Sequence, residues 1–432
     1  MKTLINNTKK QKIVIVGAGF AGIRLAKLFN KSNFDVMLVD KNNYHNFQPL
    51  MYQIATAGLE TGRISYPIRK MLQSLKSVRF HWAELKKVDA ENKKLYLTTP
   101  AEDEVLDYDI LVISTGTTTN FFQFEPIKHQ FMTLKSIPEA LNLRSYILQN
   151  LELAVMEESE KKREELLNIA IVGGGPTGVE LAGALAEMKK HVLPKDYPEL
   201  KIENMQISIF QRGPRLLDML HPDLSKKTED YLKKMGVNVF VNTAVTNYDG
   251  DALVLNGKDK FLTDTVIWAA GVKAVPPMGL DKATVLSNGR IQVDEFMQVV
   301  GYQDIYAMGD IAYMPCDDYP NGHPQVAPVA ISMAVQFHKN ITAKTKGKEV
   351  KKFKYVNRGS MAVVGRNKAV VELPGFKTSG FIAWAIWMFI HLMSLVGFKN
   401  KIATFFSWTH SYFTYDKSLR LIIRPYIRKK EE

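Results

Sequence analysis

With 432 residues the chain exceeds what one hydrophobic core sustains, so two or three domains are expected. A composition of 46% hydrophobic and 23% charged residues excludes a disordered chain, and the single cysteine, Cys316, excludes an internal disulfide framework or dithiol pair. The net charge of +13 fits nucleic acid, anionic lipid or plain solubility, and its placement decides: from Lys377 onward nine Lys/Arg stand against three acids among crowded aromatics, which points to an anionic membrane surface and not to nucleic acid.

Met1–Gln11 is short and polar and carries no signal-peptide pattern, so the protein is expected to stay in the compartment where it is made. Lys12-Ile-Val-Ile-Val then runs into Gly17-Ala18-Gly19-Phe20-Ala21-Gly22, a β-branched strand stopping at a glycine turn that opens a helix over Ala21–Phe29. A pyrophosphate sits against backbone N–H groups at such a helix start, where a Cβ on the turn would block it. The next strand, Val36–Asp40, ends in a carboxylate 23 residues after Gly17, placed to accept both hydroxyls of an adenosine ribose. The loop Asn42–Ala55, rich in aromatics and amides, suits the lining of a flat ring. Strands near Val78–Trp82 and Lys94–Thr98 follow, then Tyr108–Gly116, a buried strand ending in a small-residue turn.

A helical stretch over Glu139–Leu167, charge-dense from Glu157 to Glu165, separates this module from a second one. There Asn168-Ile-Ala-Ile-Val meets Gly173-Gly-Gly175-Pro176-Thr177-Gly178, followed by a helix to about Val192, the strand Gln206–Gln211 with Arg212 and Arg215 behind it, and a closing strand Thr265–Gly271. A dinucleotide site is therefore written twice. Asp304–Asp310, a strand ending in Gly309-Asp310, is expected to return to the first module, where an acid can hold a ribityl chain or pyrophosphate. The expected architecture is α/β, with two Rossmann-like dinucleotide-binding domains, the second inserted in the first, and a C-terminal amphipathic helical membrane-anchoring region. The boundaries are 1–140 and 276–348 for the first domain, 141–275 for the second, and 349–432 for the C-terminal region.

Phe381–Phe398 is an eighteen-residue run without a charge, the lower limit for a membrane-spanning helix. After it, Thr404, Ser407, Ser411 and Thr414 form a polar stripe at helical spacing opposite Ile402, Phe405, Phe406, Tyr412 and Phe413. Such a helix lies in an interface and does not cross it, with Trp384, Trp387 and Trp408 as expected interface anchors. A core or dimer-interface helix pair is the alternative, and the apolar surface suits a homodimer. His391 and Ser394 share a helix face. The nine histidines show no metal spacing, so no metal is expected.

Gly17–Gly22, Asp40, Asn43–Leu50, Ser114-Thr115-Gly116, Gly173–Glu180, Ala270-Gly271-Val272 and Met308-Gly309-Asp310 occur in the order of the two-dinucleotide flavoproteins of the pyridine nucleotide-disulfide oxidoreductase superfamily, here without the disulfide. Together with Gly359–Arg366, Ser379–Trp384 and Phe413–Asp416, they make the chain resemble the type II NADH:quinone oxidoreductases over nearly its whole length. The resemblance implies a peripheral or monotopic enzyme on the cytoplasmic face of the cell membrane. It would pass a hydride from NADH to non-covalent FAD, and two electrons on to menaquinone or ubiquinone, without pumping protons.

Carried over residue by residue, Gly17, Ala18, Gly19, Phe20, Ala21 and Gly22 would cradle the FAD pyrophosphate and Asp40 its ribose. Lys41, Gln48, Thr115 and Gly116, with Gly309 and Asp310, would complete that cofactor site. Gly173, Gly175, Pro176, Thr177 and Gly178 would hold NADH, with Ala270 and Gly271 closing the site. Glu180 would stand at the nicotinamide–flavin junction, although an acid in the first helical turn is also what the helix dipole favours. Three departures concern specificity and the quinone. Gln211, with Arg212 beside it, replaces a ribose-binding glutamate, which admits NADPH as well as NADH. Pro328 and Ser332, within the segment Gln325–Ser332 that also holds Ala327 and Val329, replace glutamines at the quinone site. Arg358, expected with Glu180 to be catalytic, stands where a lysine is common before the Gly-Ser/Thr turn and keeps the charge with a different reach, and His391 would supply a protonatable group near the quinone.

Sulfide:quinone and dithiol reductases need paired cysteines and are excluded. A ferredoxin-type reductase leaves Phe381–Tyr415 unexplained, and a redox-sensing scaffold with a lipid- or nucleic-acid-binding tail is the alternative of a different class.

Overall fold

The computed structural model describes residues 10–415 and 419–427. Residues 1–9, most of the polar start, lie outside it, as do Asp416, Lys417, Arg428, Lys429, Lys430, Glu431 and Glu432 of the basic tail. The chain divides into two compact, discontinuous units. One comprises residues 1–46, 66–118 and 272–356, the other 47–65, 119–271 and 357–432.

The first unit is built on five parallel strands in the order Ile305–Ala307, Ile110–Ile113, Lys12–Val16, Asp35–Asp40, Val78–Trp82. Ile15 lies between Leu38 and Val112 in register, and all three are fully buried. Strands covered on both faces read as unbroken apolar runs, which is why Ile-Val-Ile-Val and Ile-Leu-Val-Ile mark the centre of the sheet. The helices Phe20–Leu28 and Ala327–Lys344 pack on one another in this unit.

The second unit repeats the plan with four parallel strands in the order Val237–Phe240, Ile207–Phe210, Ile169–Val172, Thr265–Trp268. In both sheets the strand leading into the glycine turn is central, so the turn opens where the strand order reverses. The helical stretch expected over Glu139–Leu167 is two helices, Ile137–Met156 and Glu160–Leu167. Ser159 breaks it by adopting an extended backbone and accepting the Lys162 N–H on its hydroxyl, so the chain restarts with a new cap.

An antiparallel sheet, Ser360–Gly365, Lys368–Leu373 and Phe376–Ser379, follows in the same unit and packs on the helix Pro176–His191. Gly183 makes that approach possible, because a Cβ there would lie 1.6 Å from the Val364 carbonyl oxygen. The uncharged run Phe381–Phe398 is not one helix. It forms Phe381–Ser394, breaks at Leu395–Gly397 with Gly397 at φ +86°, and the helix Phe398–Thr414 follows. Among the described residues no helix is long and apolar enough to cross a membrane.

The polar stripe of the last helix points inward. Thr404 is fully buried and Ser407 and Ser411 half-buried, with only Thr414 exposed. Ile402, Phe405, Phe406 and Phe413 point outward, 42, 51, 65 and 77% exposed, while Tyr412 is half-buried. The expected tryptophan anchors are corrected: Trp387 and Trp408 are buried and Trp384 half-buried. Their indoles find partners inside the unit, Trp408 donating to Gln53 Oε1 at 2.9 Å and Trp387 stacking on His391 at 4.0 Å.

Candidate functional site

In the first unit Gly17 has φ +101°, and a Cβ there would lie 2.3 Å from the Ser114 carbonyl; one on Gly22 would lie 1.8 Å from the Gly17 carbonyl. The turn thus packs tightly on its inner side, while the Cβ direction of Gly19 meets nothing within 4 Å. Gly19 caps the helix Phe20–Leu28 without a side-chain hydrogen bond, so the helix start offers backbone N–H groups and a positive dipole end to an anion. Asp40 braces the turn, its Oδ2 accepting the Ala18 N–H at 2.6 Å and its Oδ1 the Asn42 N–H at 2.7 Å. Burial pushes its pKa up, and the two N–H donors oppose that rise. Ser114 ties the neighbouring strand to the turn by donating to the carbonyls of Val16 and Gly17.

Thr115 is exposed beside Gly116, which has φ +72° and open space in its Cβ direction. Asp310 accepts from Thr117 Oγ1 at 3.4 Å and, on its carbonyl, from Gln325 Nε2 at 2.9 Å; Gly309 before it has φ +74°. Thr115, Gly116, Gly309 and Asp310 therefore follow the adjacent strands Ile110–Ile113 and Ile305–Ala307, at the same sheet edge as the glycine turn. Lys41 is exposed, and its carbonyl accepts the Trp82 indole N–H. Gln48 falls in the second unit, exposed, donating to the Lys135 carbonyl. One residue was missed. His45, buried, is 2.8 Å from the Ala18 carbonyl through Nδ1 and meets Phe20 edge-on, and its place in the Asn42–Ala55 loop was the available signal.

The second unit reproduces this turn. Gly173 has φ +115°, with its Cβ position 2.5 Å from the Ala269 carbonyl; that of Gly178 is 2.0 Å from the Gly173 carbonyl, and Gly175 is again open. Pro176 and Thr177 lead the helix exposed, and Gly175 caps it without a side-chain hydrogen bond. Gln211 repeats the part of Asp40, its Oε1 accepting the Gly174 N–H at 2.9 Å. Arg212 beside it is exposed, and Ala270 and Gly271 follow the adjacent strand Thr265–Trp268. In both turns the residues the sequence grouped stand together.

Glu180, in the same helix, lines a cavity of about 130 Å3 together with Tyr52, Glu187, Val363, Trp387 and Trp408. Burial raises its pKa to about 8, so its carboxyl holds a proton at neutral pH. The Val363 N–H donates to it at a long 3.4 Å, and the Trp387 indole N–H lies close enough to oppose the rise yet has no hydrogen-bond partner. Glu187, two turns on, accepts the Arg366 N–H at 2.5 Å, and the Arg366 guanidinium donates to the Ser411 carbonyl, which fixes the last helix to the Pro176 helix. His391 is half-buried, its Nδ1 2.8 Å from the Trp387 carbonyl, and burial lowers its pKa to about 4, leaving the ring neutral.

Arg358 is exposed in the loop before Ser360–Gly365. Ala327, Pro328, Val329 and Ser332 begin the helix Ala327–Lys344 of the first unit, with Val329 buried and the other three half-buried.

Comparison with known proteins gives the family. The model of the pyridine nucleotide-disulphide oxidoreductase family matches residues 11–334, and that of the NDH2 C-terminal domain matches residues 357–415. The type II NADH:quinone oxidoreductases Ndh and NdhA of Mycobacterium tuberculosis are each 31% identical to this chain, covering 93% of it and 88% and 87% of their own lengths. The structure of NDH2 from Plasmodium falciparum in complex with NADH superimposes with a TM-score of 0.88 at 21% identity, covering 96% of this chain and 100% of that one.

Proposed function

Because the chain belongs to the pyridine nucleotide-disulphide oxidoreductase family and, within it, to the type II NADH:quinone oxidoreductases, we propose that its first glycine turn holds FAD, its second holds NADH, and its outward apolar helix face rests on an anionic membrane. The enzyme oxidises NADH and reduces a quinone. The first turn would hold FAD, whose chemistry would be to accept a hydride and pass an electron pair to the quinone.

The chain's own residues bind and orient. Gly17 and Gly22 let the first turn close on itself, Gly19 leaves its outer side open for a pyrophosphate, and Asp40, fixed through Ala18, would hold the ribose. Asp310 and Gly116 would hold the ribityl and ring portions. Gly173, Gly175 and Gly178 do for NADH what their counterparts do for FAD. Glu180, protonated at neutral pH in its cavity, keeps a proton that catalysis draws on; the net reaction takes one proton from solvent for each quinone reduced. The repetition of one turn with one side-chain brace, Asp40 on Ala18 and Gln211 on Gly174, carries the reading.

That repetition also distinguishes the two turns. A carboxylate braces the first, and a neutral amide with an exposed arginine beside it braces the second. No acid at that position repels a 2′-phosphate, so NADPH serves alongside NADH. The outward phenylalanines and the basic residues of the C-terminal region favour the cytoplasmic face of the membrane.

The test is anaerobic. The purified yellow protein is mixed with NADH, flavin bleaching is followed, and a short-chain quinone is then added. Rapid bleaching and rapid reoxidation are expected. Bleaching without reoxidation by quinone would refute the acceptor, and absence of bleaching would refute the nucleotide assignment.

A further inference from the structure

The run Phe121-Phe122-Gln123-Phe124 sends its rings to opposite sides. Phe121 stacks on Phe131 and Trp268 at 6.1 and 6.2 Å, and Phe124 is buried edge-on against Trp268 at 5.1 Å. Phe122 is turned out, 54% exposed, by a backbone φ of +50°. A bulky aromatic takes that left-handed conformation only where its surroundings impose it.

Asn120 imposes it. Its side-chain Oδ1 accepts the Phe122 N–H at 3.0 Å, its own N–H donates to the Gly271 carbonyl at 3.1 Å, and its carbonyl accepts the Trp268 indole N–H at 2.8 Å. The Phe122 ring is thereby held over Gly271: a Cβ on Gly271 would lie 3.1 Å from Phe122 Cζ and 3.3 Å from Cε2. The missing side chain at Gly271 makes room for this ring. An aromatic held in a strained backbone by a residue that is itself tied to Gly271 and Trp268, and still exposed, is a feature placed for a ligand.

The sheet says which part of the ligand. Gln211 ends the strand on one side of the Gly173 turn, and Gly271 follows the strand on the other. A dinucleotide lying across the turn puts its adenosine ribose at Gln211, so its other half passes Gly271. We propose that Phe122 is a positioning residue, an aromatic platform for the nicotinamide half of the dinucleotide. The proposal rests on the reading that the second turn binds NADH.

The test compares ligands with and without nicotinamide on the flavin-loaded enzyme by titration calorimetry. Phe122→Asn removes the ring while keeping a residue that tolerates the left-handed backbone, and Phe122→Tyr keeps the ring. Phe122→Asn is expected to weaken NAD+ about fivefold to tenfold, in line with a single aromatic contact, and to leave ADP-ribose within about twofold. It should also raise the KM for NADH, with Phe122→Tyr close to the parent in each measure. Unchanged NAD+ binding, or equal weakening of both ligands, would overturn the platform. A parent enzyme that binds neither ligand would overturn the assignment of the turn itself, and the platform with it.

Discussion

Gly183→Ala reverses the sign that helix propensity gives it. In an unencumbered helix interior, replacing glycine by alanine stabilises by about 1 kcal/mol. Here the new Cβ would lie 1.6 Å from the Val364 carbonyl oxygen and 2.7 Å from its carbon, where side-chain carbons do not come closer than 3.0 Å. The strand Ser360–Gly365 must therefore retreat from the Pro176 helix by at least 1.4 Å, and backbone cannot rotate out of the way as a flexible side chain would. Overpacking of this kind costs about 1–3 kcal/mol. The retreat also stretches the Arg366 N–H bond to Glu187, now 2.5 Å, and a hydrogen bond to a charged group contributes about 1.5–3 kcal/mol. Set against the propensity gain, the net loss is about 3 kcal/mol, or roughly 6–12 °C in Tm for a unit of this size. Gly62→Ala is the control, since nothing lies within 4 Å of its Cβ position and its Tm should stay near the parent's. Thermal unfolding followed by far-UV circular dichroism measures both. A Gly183→Ala protein that melts at or above the parent's temperature would refute the reasoning.

Three further outcomes are expected. Burial raises Glu180 from its ordinary 4.5 to about 8, so the folded protein keeps a proton that the unfolded chain releases between those values, and stability falls as pH rises through that window. Glu180→Gln removes the slope, so its advantage in Tm over the parent should grow from pH 5 to pH 8; a constant offset would contradict the assignment. Gln211→Glu should lower kcat/KM for NADPH at least tenfold, as a carboxylate meets the 2′-phosphate, while NADH is little affected; equal losses with both would refute the specificity reading. Phe405 and Phe406 are 51 and 65% exposed, so replacing both by aspartate leaves the core intact, and the double variant should move from the membrane pellet to the supernatant of a low-salt lysate. Its retention in the pellet would count against the outward face as the docking surface.

The glycine turns were legible because their requirement is local: a strand, three positions without Cβ and a helix start leave a fixed spacing, and both modules obey it. Asp40 and Gln211 were legible for the same reason, as the ends of the strands that follow. The break at Ser159 was not, because a charge-dense stretch of good helix formers hides a hydroxyl that caps as readily as it continues. The tryptophans misled for a different reason. Interface statistics favour indoles at a membrane surface, but an indole N–H donates equally well to a buried acceptor, and the partner of Trp408 is Gln53, 355 residues earlier in the chain. Phe122 and Gly271 likewise meet only in three dimensions; neither the left-handed backbone nor the ring over the glycine has a signature in Phe-Phe-Gln-Phe.

The last helix shows what a residue pattern leaves open and what burial resolves. Alternating faces at helical spacing define an amphipathic helix without saying which face meets the protein. In water the apolar face turns in, because burying it gains about 25 cal/mol for each Å2. Here Thr404 and Ser411 turn in and Phe405, Phe406 and Phe413 turn out, although Thr404 Oγ1 thereby loses every hydrogen-bond partner. An unsatisfied buried hydroxyl costs about 1–3 kcal/mol, and three exposed phenylalanines forgo a larger gain. The larger cost disappears if the phase outside that face is not water. Arg366 holds the arrangement by donating to the Ser411 carbonyl while its guanidinium lies over the Tyr412 and Tyr415 rings, so the inward stripe is fixed by its own contacts and is not a chance rotation of a loose helix. The face that remains is apolar, belongs to the same unit as the second nucleotide turn, and suits an enzyme whose acceptor dissolves in lipid.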